Sequence, residues 1–92
     1  MISHTTQRFR KLFEKLPKNI QRQGKDAYKK FRVDPYHPSL HFKRVHSTRP
    51  IYSVRIAKDY RAVGIQKNNE ILWFWIGSHS EYEKLLKQIR NA

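Results

Sequence analysis

The sequence predicts a single α+β domain over residues 1–92, with an N-terminal helical hairpin on a four-stranded, mainly antiparallel sheet and a short C-terminal helix. Three observations predict it. Apolar residues recur at helical spacing as far as Phe31, alternate from Leu40, and return to helical spacing after Ser80. Helices segregated from a run of hairpin-linked strands characterise α+β architectures, here in the order ααββββα. A chain of 92 residues also matches the size of one domain.

Each element has its own signal. Phe9, Leu12, Phe13 and Leu16 fall at i, i+3, i+4 and i+7, which is one apolar stripe of a first helix. Thr5 or Thr6 suits its N-cap, and Pro17 ends it or opens the next. The second helix is expected from about Lys18 to Arg32, with Ile20, Ala27, Tyr28 and Phe31 inward, although Gly24 weakens it by about 1 kcal/mol relative to Ala. Asp34-Pro35-Tyr36-His37-Pro38 breaks the pattern and forms a loop. His41–Val45, Ile51–Ile56 and Tyr60–Ile65 read as short strands, and the wholly apolar Ile71–Ile76 as a strand buried on both faces. Connections His46–Pro50, Ala57–Asp59 and Gln66–Glu70 suit hairpins, the last through the turn pair Asn68-Asn69. Ser80-Glu81-Tyr82-Glu83 has the form of a capping box, and Tyr82, Leu85, Leu86 and Ile89 make the stripe of the closing helix. All helices are expected on one sheet face, leaving the other open.

Twenty Lys and Arg against seven Asp and Glu give a net charge of +13. Polyanions are the expected partners, RNA or DNA ahead of an anionic membrane or an acidic protein. With 38% apolar and 13% aromatic residues the chain is too apolar for a disordered basic tail. Absence of Cys excludes a disulfide scaffold and thiolate chemistry. The longest apolar run, Ile71–Ile76, is far short of a membrane span, and the N-terminus has no signal-peptide stretch, so a cytoplasmic protein is expected.

The strand region concentrates the chemistry. Lys43, Arg44, Arg49, Arg55, Lys58 and Arg61 fall within nineteen residues, with Asp59 the only acid among them and His41 and His46 nearby. Alternation puts Tyr52, Val54 and Ile56 on one face and Ile51, Ser53 and Arg55 on the other. Guanidinium and ammonium groups gathered on an open face would hold phosphate. His79 follows the buried strand in Ile76-Gly77-Ser78-His79-Ser80, at the rim of that face. No metal or cofactor is expected, because the five His lack ligand spacing and the three Gly form no phosphate loop. A metal-free phosphodiester reaction is the hydrolytic chemistry these residues support.

The phrase Tyr52-Ser-Val-Arg-Ile-Ala-Lys-Asp-Tyr-Arg61, the ending Trp75-Ile-Gly-Ser-His79-Ser-Glu-Tyr82 and the element order together resemble the RelE/ParE superfamily of bacterial toxins, over essentially the whole chain. The ending is similar to that of the YafQ-like branch. The resemblance implies the toxin of a type II toxin–antitoxin module, an mRNA interferase that cleaves messenger RNA in the ribosomal A site without metal. Its partners would be the ribosome and an acidic cognate antitoxin. It implies that Arg61 and Arg55 contact the scissile phosphate and that His79 is general acid or base. Tyr82 would stack on a base or transfer a proton; Asp59 matches an acid of the YafQ-like branch, and in this turn it could instead orient Arg61 or cap the hairpin. Lys43, Arg44, Arg49 and Lys58 would bind backbone phosphates, with His41 a second titrating group. The glutamate of the YoeB-like branch is missing, and Arg55 stands where YafQ-like members carry another His. Two alternatives remain open: a ParE-like inhibitor of DNA gyrase, and a non-catalytic RNA-binding module.

Overall fold

A computed structural model describes residues 1–91. Its elements are β1 (Ile2–Thr5), α1 (Gln7–Glu14), α2 (Lys18–Val33), a 3-10 turn at Pro38–Leu40, β2 (Lys43–Arg44), β3 (Ile51–Ala57), β4 (Tyr60–Lys67), β5 (Glu70–Ser78) and α3 (His79–Arg90). The sheet has five strands in the order β1-β5-β4-β3-β2. The expected α+β architecture is present, with one strand more than the sequence suggested. That strand, Ile-Ser-His-Thr, pairs parallel with β5. One apolar residue in four gives it no periodicity, and its partner lies some seventy residues away.

Local signals account for most boundaries. Thr6 caps α1 by accepting from the Phe9 N–H, and Pro17 sits at the N-cap of α2. Lys67 and Glu70 bracket the two-residue turn Asn68-Asn69, where Asn68 takes φ 56°, a left-handed conformation asparagine tolerates. The first expected strand shrinks to Lys43–Arg44. His41 is left-handed (φ 46°, ψ 43°) and ends the 3-10 turn, because buried Leu40 and the Phe42 ring pull the chain onto the core. Phe42 meets Phe31 edge-on at 5.1 Å and stacks on Tyr52 at 4.9 Å.

The helices do not share one face. One core joins Ala27, Phe31, Val54, Ala62, Ile71, Trp73 and Ile76 beneath the α1–α2 hairpin. A second joins Ile51, Val63, Trp75, Tyr82 and Leu86 beneath α3. Strand alternation puts Val54 and Ile51 on opposite faces, so α3 covers the face expected to stay open. The enabling feature is a register shift between β4 and β5. Gly64 opposes Trp73 while Val63 opposes Trp75, leaving Phe74 as one extra residue. In a regular strand both tryptophans would share a face; the bulge sends them to opposite cores. Gly64 permits it, since a Cβ there would lie 2.8 Å from Trp73 Cε3 and 2.9 Å from the Leu72 carbonyl oxygen.

The capping box is also shifted. Ser78 and Glu81 form it, two residues before the expected pair. β5 runs to Ser78, so the helix starts at His79. Ser78 Oγ donates to Glu81 Oε1 at 2.8 Å, and the Ser78 N–H donates to the same oxygen at 3.2 Å.

Two outcomes test this account. Gly64→Ala should lower stability by about 1–3 kcal/mol in chemical denaturation, as crowding a packed site does; an unchanged midpoint would show that Trp73 can step aside. The Ser78 hydroxyl and N–H hold the Glu81 carboxyl below the usual carboxylate range. A lowered pKa contributes stability above the unfolded-state value, lost as pH falls through the folded one. Wild type should therefore exceed Glu81→Gln in thermal midpoint at neutral pH, and the two should converge on acidification.

Candidate functional site

The β-ladder assembles a cationic row on the α3 face. Arg55 pairs directly with Arg61, and Arg61 with Gly77. Lys43 pairs with Ser53, which puts it on the same face two residues along β3 from Arg55. Directly opposed like charges destabilise a sheet unless something neutralises them. Among the described residues no carboxylate does so. The ion pairs among the described residues are His4–Glu70 and His79–Glu83, and no Lys or Arg has a carboxylate within 4.0 Å.

Arg61 is half-buried and held from below. Its guanidinium donates to the carbonyls of Tyr60 at 2.9 Å, Ala57 at 3.2 Å and Lys58 at 3.3 Å. All three bonds use Nη1, so the remaining donors of the fork stay available. Asp59 lies in the same turn, yet among the described residues Arg61 is oriented by these carbonyls and not by the Asp59 carboxylate. Asp59 acts through its backbone instead, its carbonyl accepting from the His79 N–H at 2.7 Å. A second irregularity, between Arg55 and Ala57, re-aims the end of β3 beside this row.

His79 is the first residue of α3, half-exposed, with its Nε2 3.3 Å from Glu83 Oε1 and its ring 5.8 Å from that of Tyr82. Gly77 is fitted to this corner. A Cβ there would meet the Trp75 ring at 2.7 Å and Glu81 Oε1 at 3.2 Å. Tyr82 is only 4% exposed; its hydroxyl donates to buried Ser53 Oγ at 3.0 Å. It therefore forms the floor under His79, with a hydroxyl already occupied.

The remaining candidates lie farther along the sheet. Lys58 is exposed in the β3–β4 turn, at the Arg55 end. His41, also exposed, precedes β2, which runs antiparallel to β3, so it too lies toward that end. Arg49 is exposed at the opposite end of β3, beyond Ile51. Arg44 pairs with Tyr52 and so leaves the strand on the other face; its Nε then donates to the His46 and Arg49 carbonyls at 3.0 and 3.1 Å, bracing that loop. Arg55, Arg61, His79 and Lys43 are thus gathered, while Arg44 and Arg49 form a separate group.

Two participants escaped the sequence. Glu83 touches His79 because the helix starts at His79, which makes the pair i, i+4. Arg90 extends the Tyr82–Leu86 stripe by one more turn and lines a pocket with Lys43 and Arg44. A cation at the end of an apolar helical stripe was the visible signal.

Among the described residues no helix is long and apolar enough to cross a membrane. The chain matches the ParE-like toxin domain model over residues 18–84, well over half its length. No curated protein sequence matches it. Its fold is similar to that of the RelB–RelE antitoxin–toxin complex from Methanococcus jannaschii, at TM-score 0.73 and 13% identity, covering 89% of this chain and 96% of that one. YafQ from E. coli strain BL21(DE3) gives 0.70 at 9% identity, over 87% and 94%. The isolated RelE toxin of E. coli gives 0.63 at 16% identity, over 96% and 97%. With the family model spanning helix α2, the whole antiparallel ladder and the start of α3, the chain belongs to the ParE-like toxin family of the RelE/ParE superfamily.

Proposed function

We propose that this chain is the toxin of a type II toxin–antitoxin module and acts as a metal-independent endoribonuclease on mRNA in the ribosomal A site, inhibiting translation. The observation that carries the reading is the Arg55–Arg61 pair, opposed across two strands with no carboxylate partner among the described residues, beside Gly77 and a half-exposed His79. Two arginines opposed across neighbouring strands repel one another, and a scissile phosphate is an anion that would offset both.

Cleavage requires the ribose 2′-oxygen to bond to phosphorus while the 5′-oxygen leaves. The 2′-hydroxyl loses its proton and the departing oxygen gains one, giving a 2′,3′-cyclic phosphate and a 5′-hydroxyl. Arg61, pre-oriented by three turn carbonyls, and Arg55 offset the charge that builds on the phosphorane. His79 moves a proton to or from one of these oxygens, and the Glu83 carboxylate, 3.3 Å from Nε2, orients the ring. Tyr82 supports the imidazole from beneath. Lys43, one step along the same face, holds an adjoining phosphate. The partner is an acidic antitoxin that covers this face in the resting cell. A net charge of +13 supports it, and so does the antitoxin–toxin complex among the structural neighbours.

A second reading, inhibition of DNA gyrase by binding, is favoured by the description of the matching family model. One experiment separates the two. On induction without antitoxin, mRNA ends mapped on translating ribosomes should show codon-phased cuts that disappear in Arg61→Ala. Growth arrest with DNA breaks and intact mRNA would instead indicate gyrase.

His79→Ala should lower cleavage by about 10²-fold or more while RNA affinity stays near wild type, the scale of positioned acid–base catalysis. Cleavage and binding lost in equal measure would overturn the assignment of His79. Lys43→Ala should weaken RNA binding and reduce the log–log salt slope by about one; an unchanged slope would put Lys43 outside the footprint.

A further inference from the structure

A second cationic site lies at the far end of α3. A pocket of about 440 Å³ opens between β2, the loop that follows it and the last turns of the helix. Lys43, Arg44 and Arg90 line it, and among the described residues no Asp or Glu does. Tyr82 and Leu86 supply an apolar wall. His46 contributes a further donor. Its Nδ1 accepts from the backbone N–H groups of Arg49 at 3.0 Å and Thr48 at 3.1 Å, so in the neutral ring the proton sits on Nε2. Arg44 starts from the opposite face of β2 but, at the sheet edge, still lines the pocket. Among the described residues its bonds run through Nε, which leaves the terminal nitrogens for bidentate binding.

This pocket lies on one line with the candidate cleavage site. His79, Tyr82, Leu86 and Arg90 recur at i, i+3, i+7 and i+11, one stripe of α3. Tyr82 stands under the His79 ring at one end and in the wall of the pocket at the other. Eleven residues of helix span about 16 Å, the reach of a few nucleotides of single strand. Three permanent cations facing an acid-free cavity repel one another until an anion enters.

From this geometry we infer that the pocket is a second phosphate subsite, which takes a backbone phosphate of the same RNA strand a few nucleotides from the scissile bond. Arg90, Arg44 and His46 grip it, and Lys43 bridges the two sites. The inference rests on the ribonuclease reading for the identity of the strand. It makes strand length a determinant of affinity and gives α3 the role of a ruler between two phosphates.

Binding of uncleavable strands, carrying a 2′-O-methyl group at every ribose, tests it without requiring catalysis. Wild type should bind an octanucleotide far more tightly than a dinucleotide. Arg90→Ala should weaken the octanucleotide about tenfold, lower its log–log salt slope by about 0.7, and leave the dinucleotide within twofold. Lys87→Ala removes the same charge from outside the pocket and should keep the wild-type slope. Thermal unfolding of each variant should show that the fold is retained. Equal losses for both strand lengths, or none for either, would overturn the subsite. A wild type that binds with this length dependence yet never cleaves would leave the subsite standing and remove the ribonuclease reading.

Discussion

The structure depends on one irregular step, the extra residue between Trp73 and Trp75 where β5 passes Gly64 and Val63. A regular strand would turn both indoles to one face and leave only Ile51 and Val63 of this core's sheet residues for α3 to pack on. The bulge splits them. Trp73 anchors the first core against Phe31 at 5.4 Å, and its Nε1 donates to Ser3 Oγ at 3.2 Å, tying down β1. Trp75 anchors the second core with Tyr82 at 6.5 Å. One strand thereby carries both hydrophobic layers of a small domain, and the absence of a Cβ at Gly64 is the condition for it.

Everything at the candidate site follows from where α3 lands. Because Trp75 and Ser53 lie on its face, Tyr82 packs down and its hydroxyl donates to the buried Ser53. The first residue of the helix, His79, is then held at the end of the Arg55–Arg61–Gly77 row, its N–H fixed by the Asp59 carbonyl. The row costs stability, since cations opposed across strands gain nothing from each other. Retaining them without carboxylate partners suits a surface that an outside polyanion completes. Stability and binding are in tension here, and the buried Tyr82–Ser53 bond is among the contacts that keep the face ordered.

Much of this was legible in advance. The stripe Phe9-Leu12-Phe13, the Asn68-Asn69 turn and the alternation of Ile51–Ile56 each follow from local rules and appear where those rules put them, while Leu16 packs on the core from just beyond the end of α1 at Glu14. The cationic set from Lys43 to Arg61 was visible as composition, and alternation correctly separated Arg55 and Ser53 from Tyr52 and Val54. Strand β1 was not legible, because a short parallel edge strand is stabilised by a partner remote in sequence. Nor was the true capping box: Ser-x-x-Glu occurs at both Ser78 and Ser80, and only the end of β5 chooses between them.

By itself the sequence determined the element order, the turn chemistry, the excess of positive charge and the resemblance to a toxin superfamily, since all depend on neighbours along the chain. Tertiary structure alone decided that α3 covers the second face, that Tyr82 is floor, and that Arg44 and Arg90 meet across a pocket while Arg55 and Arg61 meet across a ladder. The reason is physical. A one-residue bulge inverts which face every later side chain takes, and its position is set by how two indoles and a glycine pack together, an interaction no local pattern records.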